Sequence, residues 1–320
     1  MMRRMIFYKI IPLLALLLIS AGCGRLDAAD YDIYDELPDT VADYIEPATE
    51  QDISSIQPAP RLAMLNITHD IFIHSVTFPR QYQIDGLIMA GVVPHHLTAS
   101  TMISGFFSSA AAHADHYDMV IILAPNHLGG YGDFVLSYRD WDIGDGVFSN
   151  RAFTDDFMAV PRFNSAINHR RMEEDHSASV LIPYIHHYLP GAEVGVILIS
   201  RTLDFDGTVD FTEWLYSWIA ASGKNVLLVC SIDFSHFLTL QQATENDRIT
   251  KEAILSGDLH RIHTFCDYYL DSPAAMNTFL MYLAKHNLTP QIIDHADASE
   301  FLGPGLDETT SYMVIVGVAE

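Results

Sequence analysis

The sequence predicts one three-layer α/β domain built around a mainly parallel central sheet. Its 320 residues are 49% apolar and 18% charged, which is enough chain and enough apolar content to bury a full core. Continuous apolar runs of strand length alternate with segments of helical periodicity, and this alternation is typical of α/β folds. The sequence contains no internal repeat and no sign of a second domain.

Four continuous apolar runs predict the core strands, because a strand that is covered on both faces shows no polar alternation. These runs are residues 86–94, 119–125, 194–200 and 225–233. Residues 133–138 alternate apolar and polar side chains and predict an edge strand. Residues 291–294 and 311–318 are expected to complete the sheet.

Segments with helical periodicity lie between and after these strands. They predict helices over residues 98–113, 175–189, 210–222, 239–256 and 273–287. Gly223 follows the third of these helices, at the position where glycine commonly supplies the left-handed residue that ends a helix. The helices are expected to cover both faces of the sheet.

The charge balance is strongly acidic, with 41 Asp and Glu against 17 Lys and Arg and a formal net charge of −24. Such a surface repels phosphate backbones, so we do not expect nucleic-acid binding. Three cysteines are too few for a disulfide scaffold. Cys230 and Cys266 could pair, but Cys230 lies in a predicted core strand, which argues against this pairing.

Residues 1–22 have the composition of an export signal. A basic start is followed by an apolar run over residues 10–19, about half the length that a membrane-spanning helix needs. Small residues then precede Cys23, as in a bacterial lipobox, although Ser20 stands where that motif usually has leucine. A lipidated Cys23 is therefore predicted, and an ordinary secretory signal with a free Cys23 is the alternative.

Residues 23–61 are predicted to be the lipidated cysteine and an acidic, disordered linker. Residues 24–60 carry ten Asp or Glu and only one basic residue, Arg25. The folded domain is expected over residues 62–320. The protein would then be exported and held as a lipoprotein on the outside of the bacterial cytoplasmic membrane, or in the outer membrane.

Polar side chains follow three of the four predicted core strands. They are His95 and His96, then His127, then Asp233 and His236, and His176 begins a further helix. In open α/β sheets, ligands bind beyond the carboxyl ends of the strands. Imidazoles and carboxylates on separate rigid elements are what a divalent transition-metal site requires, so the sequence predicts a metal or acid–base site at this edge.

Each of these residues also has a purely structural interpretation. A single histidine at a strand end is more often a hydrogen-bonded structural residue, and the adjacent His95 and His96 cannot both face inward. Asp233 and His236 could form an ion pair, and the acids before His176 could simply favour a helix N-terminus. Their joint occurrence at successive strand ends favours a functional site.

Five segments, in this order, resemble the Memo family, which is protein B of the AmmeMemoRadiSam system. They are VVPHH at residues 92–96, LAPNH at 123–127, EDHSASVLIPY at 174–184, SIDFSH at 231–236 and TTSYMVIVGV at 309–318. The resemblance spans roughly residues 62–319. It implies the fold of the class III extradiol dioxygenase catalytic subunit, whose members use non-haem Fe(II).

The resemblance also implies roles for individual residues and for partners. His95 and His127 would be metal ligands, and His176, Asp233 and His236 would line the site as catalytic residues. The metal would be Fe(II) by resemblance, with zinc or copper as alternatives. Radical-SAM and AMMECR-type proteins would be partners.

The sequence departs from the family pattern at three positions. The Gly and Tyr that usually follow the first histidine are absent, and Leu181 stands where a second histidine is common. Tyr269 falls where the family places a metal-binding cysteine. The third metal ligand would then be Asp271, with His176, His236 and Cys266 as alternatives.

Two functions from different classes remain open on these grounds. The first is a dioxygenase-like metalloenzyme that acts on a small molecule, in which Asp233 would orient an imidazole. The second is a metal-binding or partner-binding lipoprotein with a degenerate site and no turnover. A metal-assisted hydrolase that activates water is a third, weaker hypothesis.

Overall fold

The computed structural model describes residues 60–143 and 147–319. The predicted signal over residues 1–22, the lipidation site at Cys23 and the linker up to residue 59 lie outside these ranges. Within them, no helix is both long enough and apolar enough to cross a membrane.

Nine strands of the described residues form one sheet. They are β1 (Leu87–Val93), β2 (Met119–Pro125), β3 (Phe134–Leu136), β4 (Ser165–Ile167), β5 (Glu193–Ile199), β6 (Val226–Ser231), β7 (Phe234–Leu238), β8 (Gln291–Asp297) and β9 (Thr309–Ala319). The strand order is β4-β3-β5-β2-β6-β1-β9-β7, and β8 also pairs with β9.

Eleven α-helices occur among the described residues. They are α1 (His69–Thr77), α2 (Ser100–Ala110), α3 (Arg151–Met158), α4 (His169–Glu174), α5 (His176–Ser179), α6 (Ile182–Tyr188), α7 (Phe205–Ser222), α8 (Leu240–Ser256), α9 (Leu259–His263), α10 (Pro273–Lys285) and α11 (Ala298–Leu302). Short 3₁₀ segments flank α2 on both sides.

The four strands β5, β2, β6 and β1 are mutually parallel and form the centre of the sheet. Antiparallel pairs flank this centre, where β3 meets β5 and where β9 meets β1, β7 and β8. Because all four central strands are parallel, their carboxyl ends open onto one edge. The predicted α/β fold class is confirmed, and the four core strands are those that the apolar runs predicted.

Two apolar cores lie on the two faces of the sheet, which gives the three-layer arrangement. One core contains the buried rings of Phe106, Phe107 and Tyr184, from α2 and α6. The other contains a cluster from α3, α7 and α10 that includes Phe153 and Phe211. Cys230 is buried in this second core and carries a free thiol, so it does not pair with Cys266.

The structure corrects three details of the predicted elements. β3 is not the edge strand, because the three-residue strand β4 pairs with its outer side. The helix expected over residues 175–189 is split into α5 and α6, and α6 carries Pro183 in its first turn, where proline fits a helix start. α7 begins five residues earlier than expected, because the Asp204 side chain caps it by accepting a hydrogen bond from the Gly207 N–H at 2.7 Å.

The close packing of β1 on α2 predicts the effect of one substitution. Gly91 lies in β1, and a Cβ atom at this position would overlap the buried ring of Phe106. Gly91→Ala is therefore expected to destabilise the fold by about 1–3 kcal/mol through overpacking. Urea unfolding followed by circular dichroism measures this change. Ala221→Ser on the exposed end of α7 is the control, expected within about 0.5 kcal/mol of the parent; an equal effect of both variants would contradict the packing argument.

Candidate metal and catalytic site

His95 lies just beyond the end of β1 and is 1% exposed. Its backbone N–H donates to Asp233 Oδ1 at 3.0 Å, and its Nδ1 lies 3.0 Å from Ser231 Oγ. Its Nε2 lies 3.2 Å from Asp271 Oδ2 and 3.5 Å from Asp233 Oδ2. The ring is therefore fixed on one side by a hydroxyl and faces two carboxylates on the other.

The two carboxylates come from segments that the backbone ties together. Asp233 lies between β6 and β7, and Asp271 lies just before α10. The Asp271 N–H donates to the Asp233 carbonyl at 3.2 Å, and the Asp233 N–H donates to Asp271 Oδ2 at 3.3 Å. Asp271 is 3% exposed, yet its Oδ1 has no hydrogen-bond partner among the described residues. A buried carboxylate oxygen without a donor is costly, and it is a suitable ligand for a cation.

His127 follows β2 and is oriented by Asp175. The His127 N–H donates to Asp175 Oδ2 at 2.9 Å, and His127 Nδ1 lies 3.0 Å from Asp175 Oδ1. Because the carboxylate accepts the Nδ1 proton, the second ring nitrogen remains available. This Nε2 lies 3.8 Å from Asp271 Oδ2. An imidazole oriented by a carboxylate in this way is typical of metal ligands.

Asp175 has little freedom to move away from His127. It is 1% exposed and also accepts hydrogen bonds from Ser177, from the N–H at 3.0 Å and from Oγ at 2.7 Å. Ser177 Oγ also lies 2.9 Å from the carbonyl oxygen of Pro125, at the end of β2. The same aspartate thus caps α5 and positions the imidazole.

The loop after His127 has an unusual backbone. Gly129, Gly130, Tyr131 and Gly132 all have positive φ angles. Glycine adopts this region at little cost, whereas a bulky residue such as Tyr131 does so only when its surroundings enforce it. At Gly132 a Cβ atom would also meet the backbone of Asn164, so the loop is built to turn sharply beside the sheet edge.

His176, the first residue of α5, completes a group of three imidazoles. Its ring centroid lies 4.7 Å from that of His127 and 5.2 Å from that of His95, and the His95 and His127 centroids are 5.1 Å apart. The rings of His127 and His176 are stacked, with planes 10° apart. The structure therefore brings together three of the histidines that the sequence singled out.

Two sets of side chains in the described part of the chain could hold a metal ion. One set is His95, His127 and His176, and the other is His95, Asp233 and Asp271. Within each set, the ligand atoms lie within 4.8 Å of one another. His95 belongs to both sets, and Asp271 also approaches His127, so Asp271 and His176 are the best-placed third ligands. Cys266 belongs to neither set.

His236 lies on β7 beside this group and belongs to neither set. Its Nδ1 lies 3.3 Å from the carbonyl oxygen of Asp267, and its backbone N–H donates to the same oxygen at 2.9 Å. A carbonyl only accepts, so Nδ1 of His236 is the donor in this contact. His236 is half-buried, and the structure places it as a neighbour of the predicted metal ligands.

The charges of the histidines and aspartates shift the pKa of each group. Burial by itself lowers the pKa of His127, but hydrogen bonds to Asp175 and Asp271 outweigh burial and raise it to about 10. The pKa of His95 is also raised, because Asp233 and Asp271 outweigh the effect of burial. Burial raises the pKa of Asp175, but His127 and Ser177 together lower it to about 2.

His176 shifts in the opposite direction. Burial and the neighbouring charges of His95 and His127 lower its pKa to about 4, so this imidazole is neutral near pH 7. In the metal-free protein, the buried carboxylates therefore favour the protonated forms of His95 and His127, whereas His176 favours its neutral form. A divalent cation bound here would replace the imidazole protons and neutralise the buried carboxylates in their place.

His96 belongs to neither set of candidate metal ligands and contacts Tyr312 instead. Its Nδ1 lies 2.7 Å from the hydroxyl oxygen of Tyr312, and its ring stacks on the Tyr312 ring. His96, His95 and His176 line one wall of an open cleft of about 770 Å³. Two of the candidate metal ligands, His95 and His176, therefore adjoin a space that can hold a small molecule.

Sequence reasoning missed three residues that shape the site. Asp175 orients His127, Ser231 contacts His95, and Tyr312 contacts His96. Asp175 stands directly before His176, and an acidic residue at this position predicts only a favourable charge at a helix start. Its contact with His127 depends on the fold. Ser231 and Tyr312 carried no signal, because a hydroxyl inside an apolar strand has no distinctive spacing.

The chain is similar to proteins of one family. The profile described as Memo-like protein matches residues 79–270, a range that contains the histidines above and ends directly before Asp271. A MEMO1 family protein from Methanococcoides burtonii is 30% identical over 184 residues, which is 55% of this chain and 65% of that relative. A MEMO1 family protein from Caldivirga maquilingensis is 26% identical over 249 residues, which is 74% of this chain and 83% of the relative.

A solved structure of an uncharacterized protein from Escherichia coli K12 is also similar. Its TM-score is 0.47 at 10% identity, and the match covers 72% of this chain and 100% of the other. A likeness at this level adds nothing to the family match. The chain spans just under two thirds of the Methanococcoides relative's length.

The contact between His127 and Asp175 predicts a change in the titration of His127. Asp175→Asn removes a carboxylate that raises the His127 pKa, so this pKa is expected to fall from about 10 toward the ordinary histidine value. Titration of the metal-free protein by NMR of the imidazole resonances measures the change. Glu174→Gln is the matched control, because Glu174 is exposed and pairs with Arg170 instead; an equal pKa change in both variants would contradict the assignment.

The contact between His127 and Asp175 also predicts how the stability lost in Asp175→Asn depends on pH. The His127 pKa is raised, so its contribution is fully present below about pH 6.5 and is lost as the pH rises through about 10. The Asp175 pKa is lowered, so its contribution is present above about pH 4 and is lost as the pH falls through about 2. Asp175→Asn should therefore lower the free energy of unfolding by about 1.5–3 kcal/mol between about pH 4 and 6.5, and by less on either side. Urea titrations across this range test the profile, and a loss that is independent of pH would contradict it.

Proposed function

The chain belongs to the Memo-like family, and on that premise we propose that it binds one divalent transition metal through His95, His127 and Asp271. The observation that carries this proposal is the position of the Asp271 carboxylate. Its Oδ2 lies 3.2 Å from His95 Nε2 and 3.8 Å from His127 Nε2, while its buried Oδ1 has no partner among the described residues. Two imidazoles and a carboxylate that converge in this way fit a metal ion.

The donor set also indicates which metal the residues fit. Two histidines and one carboxylate on one face, with open positions opposite, are the ligand set of non-haem Fe(II) oxygenases. We propose Fe(II) as the native ion and dioxygenase-like oxidation of a small molecule as the activity. When bound, the ion would supply one-electron and O₂ chemistry that no side chain provides.

The protein's own residues would orient the ligands and move protons. Asp175 holds His127 in one tautomer, and Asp233 fixes the backbone of His95. His176 lines the open cleft, where its ring can exchange a proton with a bound substrate. His236 lies close enough to Asp271 to interact with its charge, and its imidazole can serve as a second proton carrier.

A second candidate function is a metal-binding or partner-binding protein without turnover. It is favoured by Tyr269, which stands where the resemblance places a metal-binding cysteine, and by the absence of the Gly and Tyr that follow the first histidine. The carboxylate of Asp271 is a harder ligand than a thiolate, and it is not lost to oxidation. A site altered in this way could hold a cation without catalysing a reaction.

We further propose that the chain is an exported lipoprotein. The signal composition of residues 1–22, the position of Cys23 and the acidic segment that follows support this location. A radical-SAM protein and an AMMECR-type protein are the partners that family membership suggests. Their physical association with this chain would be tested by co-purification from membranes.

The metal proposal predicts the metal content of the purified full-length chain. Purified from membranes in detergent, without oxygen or chelator, it should contain close to one metal ion per chain. His127→Ala and Asp271→Asn should each lose most of this metal, because each removes one of three ligands. Elemental analysis measures the content, and His186→Ala on α6, outside the site, is the control that should keep it.

The outcome also separates the candidate functions. Metal in the parent and in all three variants would contradict the ligand assignment, and no metal in a folded parent would contradict the proposal. O₂ consumption that requires Fe(II) and a small-molecule substrate would favour the enzyme. Hydrolysis with Zn²⁺ and no dependence on oxygen would favour the hydrolase, and stable metal with neither reaction would favour the binding protein.

The lipoprotein proposal predicts the behaviour of one variant. Cys23→Ser should move the protein from the membrane fraction to the soluble exported fraction and abolish incorporation of radiolabelled palmitate, because the lipid would have no attachment site. Cys266→Ser is the control that should stay in the membrane. Retention of Cys23→Ser in the membrane would contradict the lipid anchor.

A further inference from the structure

An open cleft of about 770 Å³ lies directly against the proposed metal centre. His95, His96 and His176 form its near wall. Its far wall is formed by α1, through residues such as Ile71, and by α11, through Phe301 and Leu302. The volume lies within the range of ligand pockets for small organic molecules, about 300–1,000 Å³.

We propose that this cleft binds the substrate, and that the substrate is a small molecule with an apolar body and no negative charge. This assignment rests on the proposed metal site, which supplies the reactive centre on the near wall. The class of ligand follows from the charge and the chemistry of the walls.

The charge around the cleft disfavours anions. No described residue that lines it is a lysine or an arginine, and Asp70 contributes a negative charge. Behind the near wall lie three more carboxyl side chains, those of Asp175, Asp233 and Asp271, and all three are buried. A phosphate or carboxylate group entering the cleft would therefore find no lysine or arginine to pair with, and it would lie close to several carboxyl side chains.

The arginine nearest to the far wall does not change this balance. Arg80 lies 3.1 Å from Asp294, pairs with Glu300 on α11 and lies over the ring of Phe301. Its charge is neutralised by two carboxylates, so it is not available to a ligand. Its contacts also fix α11 to the segment that follows α1, which keeps the far wall in place.

The remaining lining fits an uncharged molecule that is partly apolar. Ile71, Leu97 and Phe301 offer apolar surface, and this is the largest part of what a small ligand buries. Ser100 and Thr101 also line the cleft and offer hydroxyl groups to hydrogen-bond an alcohol or a carbonyl. Such groups can orient a neutral molecule with its polar end toward His176.

Two ring compounds that differ in charge test this proposal. Benzyl alcohol and benzoate are titrated into the metal-free full-length chain, and binding is followed by saturation-transfer NMR. We expect benzyl alcohol to bind in the millimolar range and benzoate to bind at least about tenfold more weakly. Ile71→Trp and Leu302→Trp, which place an indole in the cleft from two sides, should each weaken binding of benzyl alcohol by about tenfold or more.

The matched control is Ile73→Trp, which adds the same side chain to α1 at an exposed position that does not line the cleft. It should bind benzyl alcohol like the parent. Leu302 is 64% exposed, so its replacement leaves the core intact and covers the case in which Ile71→Trp fails to fold. Equal or tighter binding of benzoate, binding that survives both blocking variants, or no binding of benzyl alcohol at its solubility limit would each overturn the proposal.

The metal content of the same proteins keeps the two proposals separate. Ile71→Trp and Leu302→Trp should retain the metal of the parent, because neither residue is a ligand. Since the probes are tested without metal, loss of probe binding contradicts the cleft assignment alone. A parent that lacks metal but binds benzyl alcohol contradicts the metal site and leaves the ligand site standing.

Discussion

The contact of a buried imidazole with two buried carboxylates holds the site together. His95, Asp233 and Asp271 come from three separate places, after β1, between β6 and β7, and before α10. None of them is more than 3% exposed, so none can exchange its partners for water. A buried charge without a partner costs several kcal/mol, and these segments therefore keep their positions only as a set. The parallel pairing of β1 with β6 makes this possible, because it ends both strands at the same edge.

The sequence predicted the centre of the fold well because the physical signal there is strong. A parallel strand covered on both faces has to be apolar throughout, and residues 119–125 and 226–231 show this in their sequence. The edges of the sheet were harder to predict. The three residues of β4 are only half-buried and follow no pattern that differs from a loop. Its pairing with β3 depends on contacts between distant parts of the chain.

The same contrast applies to the site. His95, His127, His176 and Asp233 were predicted to meet because each stands at a strand end or a helix start, where the fold leaves a side chain at the rim. Asp271 was chosen only as one of four alternatives, since its sequence position says nothing about its distance from His95. The cleft could not be predicted either, because α11 is held to the segment after α1 by tertiary contacts such as those of Arg80. Hydrophobic periodicity predicts single helices and strands. The position of Asp271 and the shape of the cleft depend instead on tertiary contacts between these elements.

The two walls of the cleft lie on different parts of the chain, and this has an evolutionary consequence. The near wall lies within residues 79–270, which match the family, whereas α1 and α11 lie before and after that range. Substitutions in the two flanking helices can therefore alter which molecules are accepted while the inherited reactive groups stay unchanged. Lineages that share the same histidines could diverge in substrate through these helices alone. If the cleft binds the substrate as proposed, similarity over residues 79–270 alone does not identify the molecule that this chain accepts.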